Sequence, residues 1–266
     1  MASKWWGLKL YISGLEQHYN NMSEKIIRKS KYALFSFAYI GTAIRNRPYI
    51  EKVMIDRNRE NNFILDSGAF TFMNGKTINL DDMNKYCDAY INFIKKYHIK
   101  NYVELDIDAL FGTEQAMKYR EKLESEIGYQ CMPIWHKERG MQSFKQDVEK
   151  YDYVGIGGLA IKTIKRSDWE KLKLLTSYAR KRHTKLHAMG FTPSHDVYKY
   201  GFYSSDSSSW ASSMRFGTIS RFDGRGISSL KNVKYKRVRG DDYNRAFCAG
   251  YLEWLKYQAY VDNKNR

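Results

Sequence analysis

Acidic side chains at the ends of short apolar runs are the residues of this chain best placed to do chemistry. The run "NFILD" ends in Asp66, "YVELD" ends in Asp106 with Asp108 two residues on, and "GFYSS" leads into Asp206. Two histidines hold similar positions, His136 after "CMPIW" and His187 within "KLHAMG", and "YVGIG" ends in Gly157 and Gly158. Carboxylates gathered out of water raise one another's pKa, because each disfavours charge on the next. Such crowding destabilises a fold and is kept mainly where proton transfer or nucleophilic attack uses it. Asp and Gly are also ordinary turn residues, so each position alone has a plain structural reading; the joint pattern is what points to a site.

Other uses of the same residues are less well supported. A metal-dependent hydrolase site of this kind wants paired histidines, H-x-H, at a strand end. No such pair occurs, and His18, His98, His183 and His195 are scattered. The stretch "GIGGLA" could cradle a phosphate, but adjacent glycines equally let a flat ring lie against the backbone. Cys87, Cys131 and Cys248 form no C-x-x-C and read as buried free thiols.

The elements that must position these groups follow from hydrophobic periodicity. Apolar, β-branched or aromatic runs begin at Leu8, Tyr32, Asn62, Tyr102, Cys131, Tyr153, Lys185 and Gly201, eight in all, and amphipathic stretches separate most of them. Leu80 to Tyr97 spaces Met83, Tyr86, Tyr90, Phe93 and Ile94 along one helical face. Ser167 and Glu170 read as a capping box, Thr113 as a cap with Gly128 as the stop, and Thr192 as a cap before Pro193. Strands alternating with helices imply a parallel sheet, and eight units predict an α/β fold, an eight-stranded parallel β/α (TIM) barrel. An open doubly wound sheet would want a Gly-rich turn after the first strand, where "SGLEQHY" offers only Gly14. No linker divides the chain, so residues 1–266 read as a single domain, with catalytic groups at the carboxyl ends of the strands.

The 266 residues are 43% hydrophobic and 28% charged, an ordinary globular balance. No apolar run approaches membrane-span length and "MASKWWG" is no signal peptide, so a cytoplasmic protein with no membrane partner is expected. Lys and Arg number 45 against 29 Asp and Glu, a formal charge of +16, which predicts a nucleic-acid partner. The charge is concentrated after the eighth run, in residues 215–240, through Arg215, Arg221, Arg225, Lys231, Lys234, Lys236, Arg237 and Arg239. Phe216, Phe222 and Tyr235 interleave with them, a mixture suited to stacking on unpaired bases. A long apolar-faced helix follows, carrying Tyr243, Phe247, Tyr251 and Trp254.

Taken in order, "DSGAF" at Asp66 to Phe70, "GGLA" at Gly157 to Ala160, "MG" at Met189-Gly190 and the strand end at Asp206 resemble the tRNA-guanine transglycosylase superfamily. The resemblance implies that Asp206 is the nucleophile on the anomeric carbon of a guanosine sugar and Asp66 the general acid/base. It further implies that Asp106 reads the guanine edge and that His136 stands where the family holds a base-reading Gln, with Asp108 beside them in the substrate site. Gly157 and Gly158 would offer backbone to the base, with Phe70 and Met189 on the two ring faces. No cofactor and no metal are implied.

Two departures stand out. Asp108 occupies a position where the family usually has Cys, and the Cys/His zinc cluster after the last strand is replaced by the basic segment. A zinc-free chain of this length looks more like the branch of phages and bacteria that inserts deazaguanines into DNA, so DNA is favoured over tRNA as the polymer. Free 7-deazaguanine would be the second substrate, and the host cytoplasm the location if a phage encodes the chain. Two further readings remain open. One is a nucleosidase or glycoside hydrolase that uses the same carboxylates with water. The other is a non-catalytic nucleic-acid-binding barrel within a modification or defence complex. Either leaves room for a homodimer or a partner protein.

Overall fold

Runs that alternate between apolar strand-like and amphipathic helix-like stretches fold here into alternating strands and helices. The computed structural model describes residues 7–18, 20, 22–73, 78–193, 195–212, 218–231 and 241–264, with the backbone alone at 70, 73, 212, 231 and 241–243. Its strands are β1 (Lys9–Ser13), β2 (Ala33–Ser36), β3 (Phe63–Asp66), β4 (Ile134–Trp135), β5 (Tyr153–Ile156), β6 (Lys185–Ala188) and β7 (Ser204–Ser207), followed by β8 (Thr218–Phe222) and β9 (Ile227–Lys231). The helices are α1 (Glu24–Ile27), α2 (Phe37–Asn46), α3 (Tyr49–Arg59), α4 (Leu80–Tyr97), α5 (Asp108–Ile127), α6 (Gly140–Lys150), α7 (Trp169–Arg180), α8 (Ser209–Ser212) and α9 (Asp241–Asn263). Among the described residues, β1 to β7 form one curled parallel sheet in the order β3-β2-β1-β7-β6-β5-β4. The fold is α/β, of the TIM-barrel-like kind.

The run from Tyr102 corrects the expected strand count. In place of a regular strand it makes isolated parallel bridges, Leu65 with Tyr102 and Val103 with Met132, between the two edge strands of the sheet. The ladder stops there for a local reason. The Ile134 amide, next in line, donates to the Glu104 side chain (2.6 Å) rather than to a backbone carbonyl.

The serine run corrects a second expectation. β7 begins at Ser204 rather than Gly201, and Asp206 lies within the strand rather than just past its end. Ser204, Ser205 and Ser207 are buried because each hydroxyl has a partner. Ser204 meets Tyr153 (2.5 Å) and His187 (2.7 Å), Ser205 donates to Phe191 and Ala188 carbonyls, and Ser207 accepts from Thr192 (2.8 Å). Buried hydroxyls cost little when so paired.

Two apolar layers result. The larger lies between the sheet and the helices. The smaller fills the inside of the curl with Tyr11, Tyr32, Leu34, Ile64, Val103, Met132 and Ile134, with Tyr153 and Met189 against them. Side chains alternate along a strand, so two residues beyond this inner layer come Ser13, Ser36, Asp66 and His136. The inner layer is thus the floor beneath the acidic strand ends.

Helix signals were only partly realised. α4 spans the expected residues, with the Asn79 side chain accepting from the Asp82 amide (2.8 Å). α5 starts ahead of Thr113, is broken at Gly112 (φ 80°, ψ 164°) and stops at Gly128 as expected. Neither Ser167 nor Thr192 caps a helix: Ser167 lies in a short 3₁₀ turn before α7, and no helix begins at Pro193. α9 packs against β1, α8 and the β8–β9 hairpin. Trp210 stacks against its Phe247 at 5.0 Å, Gln258 donates to the Leu10 carbonyl (2.7 Å), and Asp262 takes the Tyr32 hydroxyl (2.7 Å). Cys87 and Cys131 are buried free thiols and Cys248 is half-buried. Among the described residues no helix is long and apolar enough to cross a membrane.

Candidate active site

The carboxyl ends of the strands surround a cavity of about 370 Å³. Asp66, Asp106, His136, Gly157, Gly158, Met189 and Asp206 all line it. No lysine or arginine is among the described residues of its wall.

Asp66 ends β3, and its Oδ2 accepts from the Gly68 amide (3.0 Å) in a tight Asp-Ser-Gly turn. Gly68 is required there: φ is +73°, and a Cβ would fall 2.7 Å from that of Ala38 and 2.9 Å from the Ala38 amide. Burial is the main cause that pushes Asp66 up to about 6, the Gly68 amide offsets part of this, and the Asp206 and Asp106 charges add to it. A carboxyl of that pKa carries a proton readily near neutrality.

Asp206 is held differently. Its Oδ1 accepts from the Gly190 amide (2.5 Å) and lies 3.3 Å from His187 Nε2, while His187 Nδ1 lies 2.7 Å from the Ser204 hydroxyl. Both Oδ1 partners sit on β6 or just past it, and His187 is fully buried. One carboxylate oxygen is therefore fixed by the Gly190 amide and the His187 ring, and the cavity is the open direction for the group.

On the far wall, Asp106 Oδ1 and His136 Nε2 are 2.8 Å apart. Burial opposes charge on the imidazole, but the Asp106 hydrogen bond and charge outweigh it and raise the His136 pKa. Gly157 makes room for that ring: a Cβ would lie 2.4 Å from His136 Cε1. Its bareness makes room for the histidine, and Gly157 itself lines the cavity. Gly158 has φ +78° and accepts from Thr163 through its carbonyl (3.2 Å).

Asp108 is a correction. It is not part of the cavity wall but forms a two-pronged ion pair with Arg139, with Nε to Oδ1 at 2.8 Å and Nη2 on Oδ2. Burial works against its charge, and Arg139 outweighs that to hold its pKa below the usual carboxylate value. Arg139 also reaches Glu104 (3.4 Å), which is bound by Arg120 (2.6 Å), itself paired to Asp147 (2.9 Å). The side chain of Phe70 lies outside the described residues.

Sequence reasoning passed over two residues. Glu16, on the turn after β1, lines the cavity while fully buried. Burial is again the chief cause that pushes it up to about 7. The Ser36 amide (3.1 Å) and Gln17 offset part of that, and the Asp66 charge adds to it. Its signal was available, since it is an acid just past the end of the first apolar run. His187 had been placed at a strand end but given no role.

The basic segment opens as a hairpin. β8 and β9 pair antiparallel, and Phe222 packs on Tyr260 of α9 (5.5 Å) with its amide on Glu253 (2.8 Å). Phe222 is therefore built into the α9 contact, a correction to its expected part in base stacking. Arg221 is exposed, and Arg225 pairs with Asp196 (3.1 Å). Arg215, Phe216, Lys234, Tyr235, Lys236, Arg237, Arg239 and the Lys231 side chain lie outside the described residues.

No family model matches the chain, and no curated protein matches it. Its fold is similar to a mutant tryptophan synthase alpha-subunit from the hyperthermophile Pyrococcus furiosus, 10% identical, with a TM-score of 0.52 over 95% of this chain and 99% of that one. It is also similar to a putative fructose-1,6-biphosphate aldolase from Coccidioides immitis, 10% identical, with a TM-score of 0.50 over 97% of this chain and 88% of that one. At such identities the likeness is one of fold alone.

Proposed function

We propose that the chain is a base-exchange transglycosylase that replaces guanine in nucleic acid, DNA in preference to tRNA, by a 7-deazaguanine. The observation that carries the reading is the pair of unlike acids in one cavity. Asp66, pushed up to about 6, suits a proton carrier, and Asp206, fixed by Gly190 and His187, suits a nucleophile. In this scheme the Asp206 carboxylate forms a bond to the anomeric carbon as the bond to guanine breaks. The departing electron pair takes the proton from Asp66. The incoming base gives its ring proton to Asp66, attacks the same carbon and releases Asp206, so two inversions retain configuration. Asp106 and His136 would read the base as one hydrogen-bonded unit. A cavity wall with no Lys or Arg among its described residues suits an uncharged nucleoside with its phosphates left outside, which requires the base to be flipped from a duplex. The finer fold reading, eight units closed into a barrel, is supported by the two bridges through Tyr102 and Val103.

The test offers purified protein DNA and tRNA with radiolabelled guanine or a deazaguanine. Label entering polymer supports exchange. Guanine released with no second base present would favour the hydrolytic reading, and inertness towards both polymers would remove the proposal.

A further inference from the structure

Asp66 and Asp206 divide the rim of the cavity into two arcs. Around the sheet, β2 and β1 lie between β3, which ends in Asp66, and β7, which carries Asp206. The longer way round holds Asp106, His136, Gly157 and Met189. The shorter arc holds Ser13 at the end of β1, Glu16 just after it and Ser36 at the end of β2, all on the cavity wall. Ser13 Oγ and Glu16 Oε2, buried on this arc, make no hydrogen bond of ordinary geometry among the described residues, and Ser36 Oγ beside them meets the Asp66 carboxyl. A buried polar atom left so is costly, and two on one wall mark a place where a ligand completes the bonding.

We infer that Ser13, Glu16 and Ser36 form a furanose subsite, which hydrogen-bonds the sugar oxygens on the side of the glycosidic bond opposite the base. The inference rests on the proposed function in one respect: if the base lies against Asp106 and His136 and the anomeric carbon between Asp66 and Asp206, the sugar must face the shorter arc. The chemistry of the arc agrees. Two hydroxyls can each donate or accept, and a Glu16 carboxyl that keeps its proton to about pH 7 donates as well. Neutral donors suit ether and hydroxyl oxygens of a sugar. A phosphate would instead meet Glu16, Asp66 and Asp206 with no cation among the described wall residues.

The test is calorimetric titration of the full-length protein with 9-methylguanine, guanosine, 2′-deoxyguanosine, 9-methyladenine and adenosine. Nucleosides should bind more tightly than the matching methylated base. Ser13→Ala and Glu16→Leu should each weaken nucleoside binding about threefold to tenfold while leaving the methylated bases within about twofold, the scale of one neutral hydrogen bond. Glu16→Gln, which can still donate, should keep most of the affinity. Comparing guanosine with 2′-deoxyguanosine tells whether the 2′-hydroxyl or the oxygens common to both sugars supply the gain. Equal loss for base and nucleoside, no loss in either variant, or no nucleoside preference in the parent protein overturns the subsite. Should Glu16→Leu fail to fold, the smaller Ser13→Ala carries the same reading. A Glu16-dependent gain equally large for adenosine and guanosine would keep the subsite and remove the guanine assignment, so the two ideas fail separately.

Discussion

The two sides of the cavity treat their acids in opposite ways. On the side of α5 and β4, each carboxylate has a basic partner: Glu104 and Asp147 have Arg120, Asp108 has Arg139 and Asp106 has His136. On the side of β7, β1 and β3, the partners of Asp206, Glu16 and Asp66 among the described residues are backbone amides, Ser36, Gln17 and His187, with no Lys or Arg. The arginine-paired acids hold the strand-end segment 104–108 in place and are spent on structure, while Asp106 with its histidine faces the cavity. Acids buried without a cation store unfavourable free energy, which burial expresses by lifting Glu16 to about 7 and Asp66 to about 6. The difference separates framework from chemistry more clearly than residue type does, since both sides are built from Asp and Glu.

The contrast can be broken most directly at Asp206. Asp206→Asn should lower label incorporation by on the order of a thousandfold or more, with polymer binding retained in a filter or gel-shift assay. Incorporation at the parental rate would take Asp206 out of the chemistry.

The framework side should answer in stability instead. Arg120→Met leaves Glu104 and Asp147 buried without their shared cation and should cost about 3–5 kcal/mol in denaturant unfolding. A loss below about 1 kcal/mol, the scale of an exposed pair, would mean that this network does not hold the site together.

Glu16→Gln should act the other way and sharpen the comparison. Glu16 has its folded pKa raised from 4.5 to about 7, so the folded protein binds the extra proton between those values. Its contribution to stability is full below about pH 4.5 and is lost as pH rises through about 7. The Gln variant should therefore be more stable than the parent above pH 7 by about 1–3 kcal/mol, with the gain vanishing at acid pH. Melting curves of the two proteins across pH 4 to 8 that stay parallel would contradict it.

The smallest effect concerns His136. Asp106→Asn removes the larger of the two charges that raise its pKa and leaves burial and Arg139 opposed only by Asp108, so the imidazole should titrate lower than in the parent. Proton resonances of the ring followed against pH would read this directly, and an unmoved midpoint would show that the pair is not coupled.

Much of this molecule was legible one residue at a time. Alternating apolar runs and amphipathic stretches determined seven of the strands and the long helix α4, because strand and helix periods are local properties of the chain. They also placed Asp66 and His136 at strand ends. Pairing was not local. That Asp108 would be claimed by Arg139, that Glu104 would stop a strand by taking the Ile134 amide, and that four consecutive polar residues from Ser204 would be buried depended on partners far away in sequence. Whether an acid is framework or reagent is decided by whether a cation reaches it through the folded core, and no spacing of residues along the chain encodes that distance.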